Sequence, residues 1–362
     1  MRMNKNRRMT ETIIEKRNKR QVVISAGRLT KRLGKVLVWP LLLPGIAWGA
    51  LALWFDGPSA RWLAGILSIG FAAGSLTLLA LLRPFSRAVI IVLAAFLVLT
   101  TWWSLIPPRN DRDWYPDVAR LSHATIEGNR LTIENVRNFA YRTETDYTPR
   151  WETRTYDLDR LRGVDLFLAF WGPTLIAHTI TSWEFDDGQH LAISIETRKE
   201  KGESYSAVRG FFRQYEVYYV VADERDVVRL RTNYRGERVY LYRIRMRPEL
   251  ARALLFDFLK DVNSLAEKPR WYNALTYNCT TAIRYHAKHV AEGRPLDWRV
   301  LANGRLDELG YEQGRIDTSL PFPELKKRSD ITEKARAADD APDFSARIRA
   351  GLPGQDRGSP AQ

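Results

Sequence analysis

One cysteine, Cys279, stands in 362 residues. No disulfide can close within the chain, and there is no C-x-x-C pair to hold zinc or exchange thiols. The sequence also has no H-E-x-x-H, no glycine-rich phosphate loop and no G-x-S-x-G elbow. Zincin-type metal hydrolysis, nucleotide binding and a serine-hydrolase elbow therefore have no support. Charge is scarce where it would normally be found. Residues 36–108 carry only Asp56, Arg61, Arg83 and Arg87. Acidic residues are nearly missing from the first 35 positions, which hold 12 Lys/Arg against 2 Glu. The remaining 254 residues are almost balanced, with 41 basic and 39 acidic side chains. The net charge of +14 is thus a property of the N-terminal tail. A nucleic-acid-binding domain would carry a basic face of its own.

Three uncharged apolar runs follow the basic tail (1–35): Val36–Phe55, Trp62–Leu82 and Ala88–Ile106. Each is long enough to cross ~30 Å of hydrocarbon as a helix. Pro40 and Pro44 fall in the first, where a bundled membrane helix tolerates them. The basic tail and the turn with Arg83 and Arg87 outweigh the turn with Arg61 alone. The excess of Lys/Arg therefore places tail and second turn in the cytoplasm, and residue 107 onward outside. Trp54, Trp62, Trp102 and Trp103 gather at the expected outer interface. A cleaved signal peptide is excluded by the long tail and the repetition of the apolar run.

After Pro107-Pro108 the chain turns polar, with recurrent aromatics. Asn129–Val136, Val164–Phe170, Tyr215–Ala222 and Arg238–Arg245 read as strands. Leu175–Phe185 and Gln189–Thr197 flank Asp186-Asp187-Gly188 and read as a hairpin. Asp223–Arg235 has helical character. Pro248 opens a helix whose apolar stripe is Leu250, Leu254, Phe258 and Val262. From Pro321 the composition shifts to charge, alanine and proline, which reads as an extended or loosely docked tail over 321–362. Strand and helix signals mixed with hairpins indicate an α+β domain over 109–320.

Cys279 sits where an aromatic, Asn-containing loop (Trp271–Asn278) gives way to a helical pattern with Ala282, Ile283, Ala287 and Val290 apolar. Asn278 is a favourable N-cap. Cys279 then lies in the first helical turn, where the helix dipole and free N–H groups stabilise a thiolate and can bind an oxyanion. A nucleophile also needs a base. His286 is seven residues further on, ~10.5 Å along the helix axis, and is out of reach. His289 shares that helix, and His123 lies in an undistinguished segment before the first strand. His178 and His190 flank the hairpin, and His178, on its first strand, is the favoured base. With a three-residue turn His178 lies opposite Glu196; a two-residue turn shifts the partner by one. His190, Ser194 and Glu196 share one face of the second strand. Glu196 is the first choice to orient the imidazole, because a carboxylate stabilises imidazolium; Ser194 and His190 remain open alternatives. No cofactor is expected. A metal site would need three or four converging ligands, for which the histidine spacings give no pattern.

From Trp114 to about Ser345 the chain resembles the Lnb N-terminal periplasmic domain family of bacterial membrane proteins. The resemblance rests on Asn135–Tyr141 (NVRNFAY), Tyr156–Leu161 (YDLDRL), Ala177-His178-Thr179, Asp187-Gly188, Ser194–Arg198 (SIETR), Phe211–Tyr215 (FFRQY) and Tyr277–Thr281 (YNCTT). The family's namesake remodels lipoproteins by moving an acyl chain, and its cysteine and histidine would correspond to Cys279 and His178. The His-before-Cys order is also similar to permuted, NlpC-type papain-like hydrolases and to the lecithin:retinol acyltransferase group. In that group two histidines on neighbouring strands precede the cysteine, a spacing that His178 and His190 echo. The three apolar runs ahead of the domain depart from the namesake.

The resemblance implies a multi-pass inner-membrane protein with a periplasmic papain-like domain. It implies a thiol-dependent acyltransferase or hydrolase acting on a lipid, lipoprotein or envelope substrate, with the bilayer as partner and no nucleic acid. A non-catalytic envelope-binding module and a peptidoglycan amidase or endopeptidase are the alternatives. The topology is open to a direct check. Alkaline phosphatase, which matures only outside the cytoplasm, is expected to be active when fused after Arg109 and inactive after Arg83; the reverse pattern would place the domain inside.

Overall fold

The computed structural model describes residues 38–172, 174–290 and 297–355, so the basic tail lies outside the described residues. The chain divides into two compact units that meet in sequence between Ile106 and Pro107.

The first unit has three helices: α1 (Val38–Asp56), α2 (Arg61–Leu81) and α3 (Phe85–Ser104). At 1.5 Å per residue they are about 28–31 Å long, and all three are apolar enough to cross a membrane. Their outward side chains are large and apolar, among them Leu41, Trp62, Ile69, Leu81 and Val98. Water would penalise such a surface, and hydrocarbon does not. A narrow seam of Leu42, Ile46, Leu79, Ala88 and Val92 is buried within the unit. Polar side chains on the helices are satisfied internally, as a bilayer requires. Thr101 Oγ1 donates to the Leu97 carbonyl at 2.8 Å, and Ser68 Oγ of α2 donates to the Ala50 carbonyl of α1 at 2.7 Å. Trp103 Nε1 donates to Asp56 at 2.7 Å, joining the C-terminal ends of α1 and α3 where the tryptophans were expected to gather.

The second unit is α+β. Its strands are β1 (His123–Glu127), β2 (Arg130–Arg137), β3 (Ala140–Tyr141), β4 (Tyr147–Thr148), β5 (Trp151–Asp157), β6 (Leu161–Phe170), β7 (His178–Phe185), β8 (His190–Arg198), β9 (Glu216–Ala222) and β10 (Arg238–Ile244). The main sheet runs β1-β2-β9-β8-β7-β6-β10, with β5 also paired to β2, and β3-β4 form a separate ribbon. Its pairings are antiparallel apart from a short parallel contact between β2 and β9. Every residue of β9 is buried, and β6, β7 and β8 are nearly so. That follows from helices covering both faces, which removes the polar half of the usual alternation.

One face is covered by α5 (Pro248–Glu267) and α6 (Cys279–Val290), which pack on Trp183, Phe185, Leu191, Ile193, Ile195 and Tyr219. The α5 stripe inserts Leu254, Phe258 and Val262 into that core. The other face carries α4 (Glu224–Arg229), which continues as a π-helical turn at Leu230–Tyr234. Beyond α7 (Leu306–Glu312) and α8 (Phe322–Arg328), α9 (Thr332–Ala338) and α10 (Phe344–Arg349) complete this layer.

The hairpin β7–β8 sets the register of the site. Gly188 takes φ +85°, a conformation open to glycine without penalty. Phe185 N donates to the Gln189 carbonyl at 3.0 Å, closing a three-residue turn. Ile180 then faces Ser194 and Glu184 faces His190, which carries His178 to the position opposite Glu196.

Over 321–355 the C-terminal segment corrects the expectation of a loose tail, and 356–362 lie outside the described residues. Leu325, Ile331, Ala335, Phe344, Ile348 and Leu352 are fully buried. Leu241 N donates to the Ser329 carbonyl and Ile331 N to the Val239 carbonyl, both at 2.9 Å, so the segment also shields the open edge of β10. Arg349 forms a buried pair of ion bridges, 2.7 Å to Asp165 and 2.6 Å to Glu224. The apolar residues are too sparse to make a helical stripe, since each short helix supplies only one or two side chains to a face built by distant strands. Strands β1, β3, β4 and β5 were likewise not read from the sequence. Phe344→Ala is expected to cost about 3 kcal/mol and to lower the thermal midpoint of the detergent-solubilised protein by several degrees. An unchanged midpoint would restore the loose tail.

Candidate functional site

The loop before α6 is tied by its asparagines. Asn273 Oδ1 accepts from Leu275 N at 3.0 Å and Thr276 N at 2.9 Å. Asn278 Oδ1 caps α6, accepting from Thr280 N and Thr281 N at 3.0 Å each, while Asn278 N donates back to Thr281 Oγ1 at 2.8 Å. This reciprocal cap starts the helix at Cys279, so the cysteine occupies the first turn. Its thiol is half-buried.

His286 holds this helix in place and does not reach the thiol. It is buried, with Nδ1 2.7 Å from Asp257 on α5 and Nε2 2.7 Å from the Tyr219 hydroxyl on β9. Burial lowers its pKa, and the carboxylates of Asp257 and Asp261 only partly offset that. His289 reaches Asp257 at 3.1 Å from the exposed side, and His123 lies exposed at the start of β1.

His178 opens β7, and its Nε2 lies 2.7 Å from Ser194 Oγ and 3.1 Å from Glu196 Oε1. Ser194 Oγ donates to Glu196 Oε1 at 2.8 Å. Because that hydroxyl spends its proton on Glu196, it accepts from Nε2–H, which fixes the imidazole tautomer. The other ring nitrogen, Nδ1, is left for Cys279, which lies close enough for the charges of thiolate and imidazolium to act on each other. Thr179 also supports the thiolate through its backbone and side chain.

The ionisation states follow from these contacts. Burial opposes the Cys279 thiolate, but the facing His178 cation and the support of Thr179 overcome it and bring the thiol down to about 6. Burial and the Arg231 charge press His178 toward neutrality. Glu196 and the thiolate outweigh them and lift it to about 9. Burial would also protonate Glu196, yet His178 and Arg231 hold its carboxyl well below the usual range. Between about pH 6 and 9 the pair is therefore thiolate and imidazolium.

Two further residues build the site, and neither stood out in the sequence. Arg231, buried on the π-helical turn, donates to Glu196 at 2.8 Å and pairs with Glu237 at 3.0 Å. Asn303 clamps the residue before His178, accepting from Ala177 N at 2.8 Å and donating to the Ala177 carbonyl at 2.5 Å. Its side-chain amide also donates to Thr280 Oγ1, beside the cysteine. A side chain on the next residue, Gly304, would collide with the backbone of Thr174 and Leu175, so this contact admits only glycine.

His190 is not brought to the cysteine. It faces Glu184 at the turn end of the hairpin, six residues from His178 along the strand and so ~20 Å away. Its Nδ1 lies 3.1 Å from the Gly188 carbonyl. Of the sequence candidates, the structure gathers Cys279, His178, Ser194, Glu196 and, as helix cap, Asn278. Next to Thr280 a cavity of about 300 Å³ is lined mainly by apolar side chains, including Leu166, Ile283, Val300 and Ile316. Among the described residues no three His, Cys, Asp or Glu side chains converge as metal ligands would.

The pair predicts a distinctive alkylation profile. Iodoacetamide should react with Cys279 along a titration centred near pH 6, against ~8.5 for a free thiol. In His178→Ala the cation is lost while burial and Thr179 remain and oppose each other, so the midpoint should rise to about the free value. The rate at pH 7 should then fall ~30-fold from the change in thiolate fraction alone. Equal profiles in both proteins would remove His178 as partner.

Residues 147–304 match the family model of the Lnb N-terminal periplasmic domain. No curated protein and no solved structure matches the chain. The matched segment begins inside the second unit and includes His178, Ser194, Glu196, Arg231, Cys279 and Asn303. Three helices able to span a membrane precede it, which fits a membrane protein with a periplasmic domain, and over that segment the chain is similar to the Lnb N-terminal periplasmic domain family.

Proposed function

We propose that the protein is a cysteine acyltransferase or hydrolase anchored in the inner membrane, acting on a lipid, lipoprotein or other envelope ester or amide on a papain-like scaffold. The observation that carries this reading is the Cys279–His178 pair, with the imidazole held by Ser194 and Glu196. The Cys279 thiolate attacks the substrate carbonyl carbon, and the bond to the leaving oxygen or nitrogen breaks. His178 gives its proton to that leaving atom as an acyl-cysteine thioester forms. Water or an amine then attacks the thioester, its proton passes to His178, and the thiolate departs. Thr280 N and Thr281 N are committed to the Asn278 cap, which leaves the backbone N–H of Cys279 itself to meet the oxyanion. The apolar cavity beside Thr280 has room for part of a hydrocarbon chain, which favours an acyl donor over a sugar or a peptide bond.

The test is intact-mass analysis of the purified protein after incubation with envelope extract. A mass increment on wild type, absent in Cys279→Ser and released by hydroxylamine, is expected, and its size names the acyl group. Glu196→Gln should slow its formation at least ~10-fold while the protein stays folded, because the imidazolium loses its counter-charge. No adduct and no turnover of any envelope fraction would leave a binding module.

A further inference from the structure

Large apolar side chains exposed singly are ordinary on a soluble surface, and only their concentration carries information. Among the described residues the second unit exposes eleven of them, and nine lie on four stretches of chain that form two rims beside the candidate site. The first rim is Trp171, Leu175 and Ile176 together with Trp298 and Leu301. The two pieces are joined by Gly304 N, which donates to the Leu175 carbonyl at 2.9 Å, and by the Asn303–Ala177 clamp. This rim runs directly into His178. The second rim is Tyr205, Val208, Phe211 and Leu275. It is joined by Ala274 N, which donates to the Gly210 carbonyl at 2.8 Å, and runs directly into the Asn278-capped start of α6. Tyr205 and, next to the second rim, Tyr272 lie close enough to Cys279 to feel its charge. Ile126 and Tyr285 are the two exposed elsewhere.

We propose that these two rims are an interfacial membrane-binding surface: they insert into the headgroup region of a lipid bilayer and hold the mouth of the candidate site against it. Three features point to lipid as the occupant. Trp and Tyr, with an apolar body and a polar tip, favour the membrane–water interface, and Trp171, Trp298 and Tyr205 are each about half exposed on the rims. The side chains sit on loops and short turns, which present a ring of tips, where a protein-docking groove would present a concave face. The same chain carries three helices able to span a membrane, so a bilayer is always at high effective concentration and shallow insertion is enough. The inference gives the Proposed function a substrate that reaches the thiol from within the lipid layer, and to that extent it rests on that reading.

Cys279 is the only cysteine, so Cys279→Ser gives a background for single-site labelling that is independent of catalysis. The full-length protein, carrying one new cysteine at Leu175, Leu275, Trp298 or the exposed helix position Glu333, is labelled with an environment-sensitive NBD probe. It is then reconstituted into phosphatidylethanolamine–phosphatidylglycerol vesicles. Nitroxide-bearing lipids should quench the three rim probes at least about two-fold, and aqueous iodide should quench the Glu333 probe preferentially. Equal aqueous quenching at all four positions overturns the proposal. So does protection of the rims from iodide that grows with protein density and shows no lipid quenching, because the rims would then be meeting a second copy. In the cysteine-containing protein, Leu175→Asp with Trp298→Asp should slow adduct formation from a vesicle-borne donor at least ~10-fold and leave iodoacetamide alkylation unchanged. Loss of alkylation as well would mean a damaged site, and the quenching pattern then decides alone. Lipid quenching without any adduct would uphold the surface and sink the catalytic reading.

Discussion

Glu196 Oε1 is the point on which the site depends. It lies within hydrogen-bonding reach of His178, Ser194 and Arg231 together. A carboxylate buried among three donors stays ionised at any physiological pH, and its charge helps to keep the imidazole cationic beside the thiolate. Arg231 has two opposed effects. It stabilises the carboxylate and at the same time competes with His178 for it. The result is an imidazolium that is favoured but still able to release its proton, as an acid that must also act as base requires.

The site stands at an end of the sheet, where material from both covering layers meets. Cys279 arrives from the layer of α5 and α6, whereas Arg231 comes from the layer of α4 on the opposite face. His178 is the first residue of β7 and lies between them. Neighbouring positions on this strand alternate in their duties: Thr179 supports the thiol and reaches toward Thr280, while His178 meets Ser194 and Glu196. A shift of one residue in the β7–β8 pairing would exchange those faces and dismantle the pair. The turn at Asp186–Gly188 therefore specifies chemistry some distance away from itself.

The parts legible in the sequence were the local ones. The Asp-Asp-Gly turn between two alternating runs gave the hairpin, whereas its three-residue closure, and with it the facing of His178 and Glu196, came from the structure. The Asn278 cap followed by an apolar helical pattern gave the setting of Cys279. Arg231 was hidden because its side chain reaches the site from a π-helical turn, whose spacing follows neither the helical nor the strand period. Asn303 is 126 positions from the Ala177 backbone that it clamps, and no local pattern records such a contact. His190 stayed an alternative to Glu196 because both share a strand face, a criterion that ignores distance along the strand.

The C-terminal layer bears on how the protein is made. Arg349 bridges Asp165 and Glu224, which stand on β6 and α4. Until residue 349 arrives, Glu224 lacks its arginine partner, Asp165 has Arg243 alone, and one face of the sheet has only part of its cover. Synthesis delivers the strands of this sheet before the latch. Until the latch docks, the unfinished sheet exposes apolar surface and the uncovered edge of β10, so the C-terminal layer guards the domain against aggregation as well as stabilising it.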